Sequence, residues 1–270
     1  MTAMPRDPLS ATAGSAGGRW PAHLWIVRHG ESAGNVARDA ANAAGAQRIE
    51  LTARDVDIPL SPRGEDQVRA LGEWFARQPA DERPDVIIAS PYARARASAE
   101  LFRAAGGTDG EVAICIDERL REKEFGILDG LTVDGIHALQ PDQAEFRRLL
   151  GKFYHRPPGG ESWCDVIFRL RSVMDTIALH HAGRRVMIVA HQVVVLCLRY
   201  IVETMTEDEI LAIDREGDVA NASVTDYRFD PAIGRDGGLA LVAYNRVTAI
   251  EQDDEAEVTT ESSSPVAVRG

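Results

Sequence analysis

The feature that most constrains this chain is an alternation of brief apolar runs, each bounded by turn residues, with longer stretches whose apolar residues recur about every 3.6 positions. The runs are Leu24 to Val27, Asp85 to Ala89, Val112 to Ile116 and Arg185 to Ala190. Short apolar segments of this kind suit strands buried on both faces. Helical periodicity occupies 64–78, 92–105 and 161–181, where Trp163, Phe168, Leu170 and Val173 read as core residues. Ser61-Pro62 and Ser90-Pro91 supply N-cap and first-turn signals for the first two helices. Thr206 with Glu209 makes a capping-box pattern that opens another. Ser223 to Phe229 and Leu239 to Tyr244 have the β-branched and aromatic content of strands. Strands alternating with helices predict an α/β fold, a three-layer α/β/α sandwich with a mostly parallel central sheet. Such sheets bind ligands beyond the carboxyl ends of their strands. Chemistry is therefore expected just after Val27, Ala89, Ile116 and Ala190.

Charge and composition narrow what that chemistry acts on. The 270 residues carry a formal net charge of -12, which repels polyphosphate backbones and anionic membrane surfaces, so neither nucleic acid nor membrane is an expected partner. A homodimer is allowed. Cys115, Cys164 and Cys197 form no C-x-x-C pair and read as buried free thiols in a reducing compartment. With no apolar run near the ~20 residues of a bilayer span and no apolar core of a secretory signal in the first residues, a cytoplasmic location is expected. Residues 1–22 hold few large apolar groups, and 251–270 carry six acidic residues against Arg269. Both are expected to be disordered tails around a single domain at 23–250.

At the first strand end stand Arg28, His29, Gly30, Glu31 and Ser32, with Asn35 six residues past the histidine. Gly30 is expected to let the backbone turn tightly toward a ligand. The second strand end places Arg94 in the first turn of a helix, where the macrodipole disfavours a cation unless an anion lies nearby. Arg96 is close by. The third is followed by a charged stretch in which Glu118, Glu122 and Glu124 compete for one role, and the fourth by His191 and Gln192. Arginine forks grip phosphoryl groups bidentately, a neutral histidine can attack phosphorus, and a protonated carboxyl can hand a proton to the departing alkoxide. These parts suffice for phosphoryl transfer without a metal, and no metal-binding set of carboxylates and histidines is visible at these ends.

Arg28-His29-Gly30-Glu31 after an apolar strand resembles the signature of the histidine phosphatase superfamily, also called phosphoglycerate mutase-like. Ser90-Pro91-Tyr92-Ala93-Arg94-Ala95, Glu122-Lys123-Glu124-Phe125-Gly126 and Val189-Ala190-His191 match its later motifs in order, over roughly Leu24 to Tyr244. The resemblance implies a phosphoglycerate mutase-like fold and a small phosphorylated substrate hydrolysed without a cofactor. It also implies a nucleophile at His29 that becomes a phosphohistidine, and a general acid at Glu122. Arg28, Arg94 and His191 would hold the phosphoryl oxygens, with Asn35 and Gln192 contacting the substrate. Gly130-Leu131-Thr132, Lys152, Arg156, Gly160-Glu161-Ser162 and His191-Gln192 resemble the fructose-2,6-bisphosphatase and broad-specificity phosphatase branch more than the mutases. Gly159 and Leu196 stand where the bisphosphatases have basic residues. A monophosphate or a broad set of substrates is therefore expected. A phosphoglycerate-type mutase and a non-catalytic phosphate-binding regulator are the alternatives.

Overall fold

In the computed structural model, which describes residues 19–51 and 53–247, the predicted apolar runs form strands because their alternate residues meet helices on opposite faces. The strands are β1 (His23–Arg28), β2 (Val86–Ala89), β3 (Ile114–Ile116), β4 (Arg185–Ala190), β5 (Val224–Asp230) and β6 (Gly238–Arg246). They lie in the order β3-β2-β4-β1-β5-β6. The first four are parallel, and the β5–β6 pair runs antiparallel beside β1. Eight helices are described: α1 (Ala33–Ala43), α2 (Pro62–Ala76), α3 (Ala93–Ala104), α4 (Val133–Leu139), α5 (Pro141–Tyr154), α6 (Trp163–His180), α7 (Gln192–Val202) and α8 (Glu207–Glu216).

Period-2 alternation divides the core. Leu24, Ile26, Ile88, Val186 and Ile188 pack with Trp163, Val166 and Leu170 of α6 and Val194 to Leu198 of α7. Trp25, Val27, Ile87, Met187 and Val189 pack on the opposite face with Leu71 and Phe75 of α2 and Ala99 and Phe102 of α3. The sheet is therefore the middle of three layers, as expected. Ser61 caps α2 through its Gly64 N–H, and Thr206 with Glu209 forms the capping box of α8.

Several expectations are corrected. The third run pairs only over Ile114–Ile116, at the sheet edge, and Cys115 and Ile116 are exposed. Cys164 is half-buried, so only Cys197 is the enclosed thiol. Phe168 points to solvent because its step of five from Trp163 leaves the buried stripe of α6. Ser90 does not cap α3, whose N-cap is Tyr92 without a side-chain bond. Just before β1, the Trp20 carbonyl accepts from Gly183 N (2.9 Å) and Ala22 N donates to the Arg184 carbonyl (2.8 Å). Residues 1–18 and 251–270, expected to be tails, lie outside the described residues. Among the described residues, no helix is long and apolar enough to cross a membrane.

Candidate active site

Sheet register brings the predicted histidines together. Arg28 of β1 lies opposite Ala190 of β4, so His29 and His191, one residue further on, leave the sheet side by side. Their ring centroids are 5.1 Å apart. Ala89 of β2 lies opposite Val189, which sets Ser90 beside His191. The Ser90 hydroxyl is 2.7 Å from His191 Nε2 and accepts a bond from Tyr92 N (3.3 Å). The ends of three adjacent strands thus deliver one wall of the candidate site.

Hydrogen bonding fixes the state of His29. Its Nδ1 lies 2.6 Å from the Gly30 carbonyl, which can only accept, so Nδ1 carries the proton and Nε2 keeps its lone pair. Arg94 Nε donates to that Nε2 at 3.2 Å. Burial, then Arg94 and Arg28, hold the His29 pKa well below the ordinary histidine value. The ring is consequently neutral at pH 7, as an attacking nitrogen must be. Burial and Arg94 act on His191 in the same direction. Its Nδ1 has no hydrogen-bond partner among the described residues.

The remaining walls hold these groups in place. Arg28 is fully buried, and its guanidinium donates to the Val219 carbonyl. The Asn221 amide donates to the His29 carbonyl (3.1 Å). Gly30 is needed for close packing rather than for an unusual turn: a Cβ there would lie 2.3 Å from the Gly64 carbonyl oxygen at the start of α2. Gly30 N donates to the Ser98 hydroxyl (3.1 Å), and the Ser61 hydroxyl donates to Glu31 (2.6 Å). Arg94 has found the anion its helix position calls for, because both its terminal nitrogens reach the Asp55 carboxylate at 2.9 and 3.2 Å.

Glu122 occupies a segment pinned from two sides. Arg169 of α6, buried in the core layer, donates to the Glu122 carbonyl (3.2 Å) and pairs with Glu161 (3.0 Å). Glu124 is tied to the wall by a bond from the Tyr92 hydroxyl (3.1 Å). The Glu122 carboxylate accepts from Lys123 N (2.8 Å). Beside it the Lys123 ammonium is buried over the Phe125 ring, 4.5 Å from its centroid, and burial brings its pKa down to about 8.

Asn35 and Gln192 are buried at the ends of their helices but hold protein partners. Asn35 completes the capping box of α1 with Ser32, and the Gln192 amide donates to Asp218 (2.8 Å). Lys152 pairs with Asp214 (2.7 Å), and Arg156 pairs with Asp165. Sequence reasoning missed Asp55, Asn221, Ser98 and Lys123. For Asn221 the only signal was its place just before the strand expected from Ser223. Asp55 carried no signal, being one charge among several in a connecting segment.

Comparison with known proteins identifies the family. A 177-residue stretch is 28% identical to the "Probable phosphoglycerate mutase GpmB" of Serratia proteamaculans, covering 65% of this chain and 72% of that protein. Among solved structures, Bacillus stearothermophilus YhfR superposes with a TM-score of 0.66 at 26% identity, covering 84% of this chain and 98% of YhfR. Mycobacterial glucosyl-3-phosphoglycerate phosphatase superposes with a TM-score of 0.63 at 25% identity, covering 83% and 98%. The family model of the histidine phosphatase superfamily (branch 1) matches residues 24–236. Matched by that model over most of its length, this chain belongs to the histidine phosphatase superfamily.

Proposed function

We propose that the protein is a phosphomonoesterase acting through a phosphohistidine on His29. The observation that carries this is the His29 ring itself: Nδ1–H is committed to the Gly30 carbonyl, and the Nε2 lone pair is presented beside the Arg94 guanidinium. Nε2 attacks phosphorus, the bond from phosphorus to the ester oxygen breaks, and Glu122 delivers a proton to the departing alkoxide. The Gly30 carbonyl stabilises the positive charge that the ring acquires. Arg28 and Arg94 neutralise charge on the phosphoryl oxygens. His191 takes part as a donor through Nδ1, a tautomer set if the Ser90 hydroxyl donates to Nε2. In the second step water attacks phosphorus, the P–N bond breaks, Glu122 takes the proton, and inorganic phosphate leaves.

The acidic surface favours a small substrate that enters the pocket over a polyanion lying across it, and the protein is read as cytoplasmic. The test is hydrolysis of p-nitrophenyl phosphate in the presence of a chelator, with inhibition by vanadate. His29→Ala should lower turnover on the order of 10⁴-fold or more. Full activity in that variant overturns the proposal. The mutase name of the sequence relatives motivates a second arm. Incubation with 3-phosphoglycerate should release free phosphate, whereas accumulation of an isomer would make the protein a mutase.

A further inference from the structure

Arg94 is already engaged when its donors are counted. A guanidinium has five N–H bonds. Nε–H goes to His29 Nε2, the two on Nη1 go to the Asp55 carbonyl (2.7 Å) and Oδ1 (2.9 Å), and one on Nη2 goes to Oδ2 (3.2 Å). One N–H is left, and a bidentate grip on a phosphoryl group needs two. The phosphoryl group and the Asp55 carboxylate therefore cannot both be fully held.

We propose that Asp55 is a built-in competitor for the phosphoryl group at Arg94, weakening the binding of substrate and of product phosphate alike. The proposal rests on the function above, in which Arg94 grips the phosphoryl oxygens. The geometry suits an exchange. The Asp55 side chain is 37% exposed while that of Arg94 is 7% exposed, so the carboxylate is the partner that can rotate into water. The turn behind it keeps its own support, since Ile58 is buried beside Gly34. When a phosphoryl dianion takes the outer N–H bonds, the guanidinium turns toward it. The Nε–H then withdraws from the His29 lone pair that must attack. After hydrolysis, Asp55 competes with inorganic phosphate for the same donors and speeds its departure. A carboxylate tethered this close acts at high effective concentration, and every anion entering the site loses affinity by the fraction of molecules in which Arg94 is paired.

Calorimetric titration with inorganic phosphate, alongside the kinetics of p-nitrophenyl phosphate hydrolysis, tests the proposal on wild type, Asp55→Asn and Asp57→Asn. Asparagine keeps the size of the side chain and removes its charge. Asp55→Asn should bind phosphate about tenfold more tightly and show a parallel fall in KM, with Asp57→Asn like wild type. Phosphate bound equally or more weakly by Asp55→Asn would make Asp55 a support for Arg94 and overturn the proposal. Equal tightening in Asp57→Asn would overturn it too, since general loss of negative charge would then be the cause. If wild type hydrolyses the ester and binds phosphate while Asp55→Asn binds no tighter, this inference alone falls. Wild type that neither hydrolyses nor binds takes the functional proposal with it.

Discussion

The wall of strand ends and the segment from Arg121 to Glu161 solve different problems. In the wall, His29, Ser90 and His191 are placed by backbone register, and nearly every group is buried. In the segment, position depends on ion pairs between elements, such as Arg169–Glu161, Arg121–Glu161 and Lys152–Asp214. Its helix α5 leaves Phe146, Leu149, Leu150 and Tyr154 half or more exposed. The difference teaches that His29, the proposed nucleophile, is as rigid as the sheet, whereas Glu122, the proposed general acid, is held through side chains and can be unpinned separately.

The largest effect that probes this contrast is at Glu122. Glu122→Gln should lower kcat/KM on an alkyl phosphate by about 10²–10⁴. The loss should be much smaller on p-nitrophenyl phosphate, whose leaving group needs no proton; equal losses would remove Glu122 as the acid. Next comes the pin. Arg169→Met removes the buried partner of Glu161, leaving it Arg121, and should cost about 1–3 kcal/mol in urea unfolding. Leu149→Ser on the exposed face of α5 should change stability by less than about 0.5 kcal/mol. Comparable costs for the two would mean that the segment is packed like the wall.

Acid should expose the wall itself. His29 and His191 resist protonation when folded, chiefly through burial and then through Arg94. The unfolded chain takes up both protons below about pH 6.5. Proton uptake then favours unfolding, so this contribution is intact above that pH and is lost progressively as the pH falls beneath it. Thermal melts from pH 7.5 down to 5 should show a falling Tm, with a shallower slope in His191→Phe. An unchanged slope would indicate that His191 is not held neutral.

How much of this was legible in the sequence follows from where each element's information lies. β1, β2 and β4 are buried on both faces, so their residues are apolar except at the strand ends and stand out in any window. α7 is also largely buried, and that hid it: from Gln192 to Val202 only Arg199 is charged, so little in the sequence marks an outer face. α1 is rich in alanine and buries little besides Asn35 and Ala41, while α4 and α5 present apolar residues to solvent. A pattern argument assumes that apolar residues face a core, and here that assumption fails. His29, Arg94 and His191 were readable because strand ends are where such sheets bind ligands. Asp55 was not, because its importance comes from the tertiary approach of its turn to the first turn of α3.

The most direct test of the account is the chemical identity of the phosphoenzyme. Rapid denaturing quench of wild type turning over p-nitrophenyl phosphate, followed by peptide mass spectrometry without acid, should place an acid-labile phosphoryl group on His29, and His29→Ala should carry none. A phosphoryl group on any other residue, or the same label in His29→Ala, would contradict it.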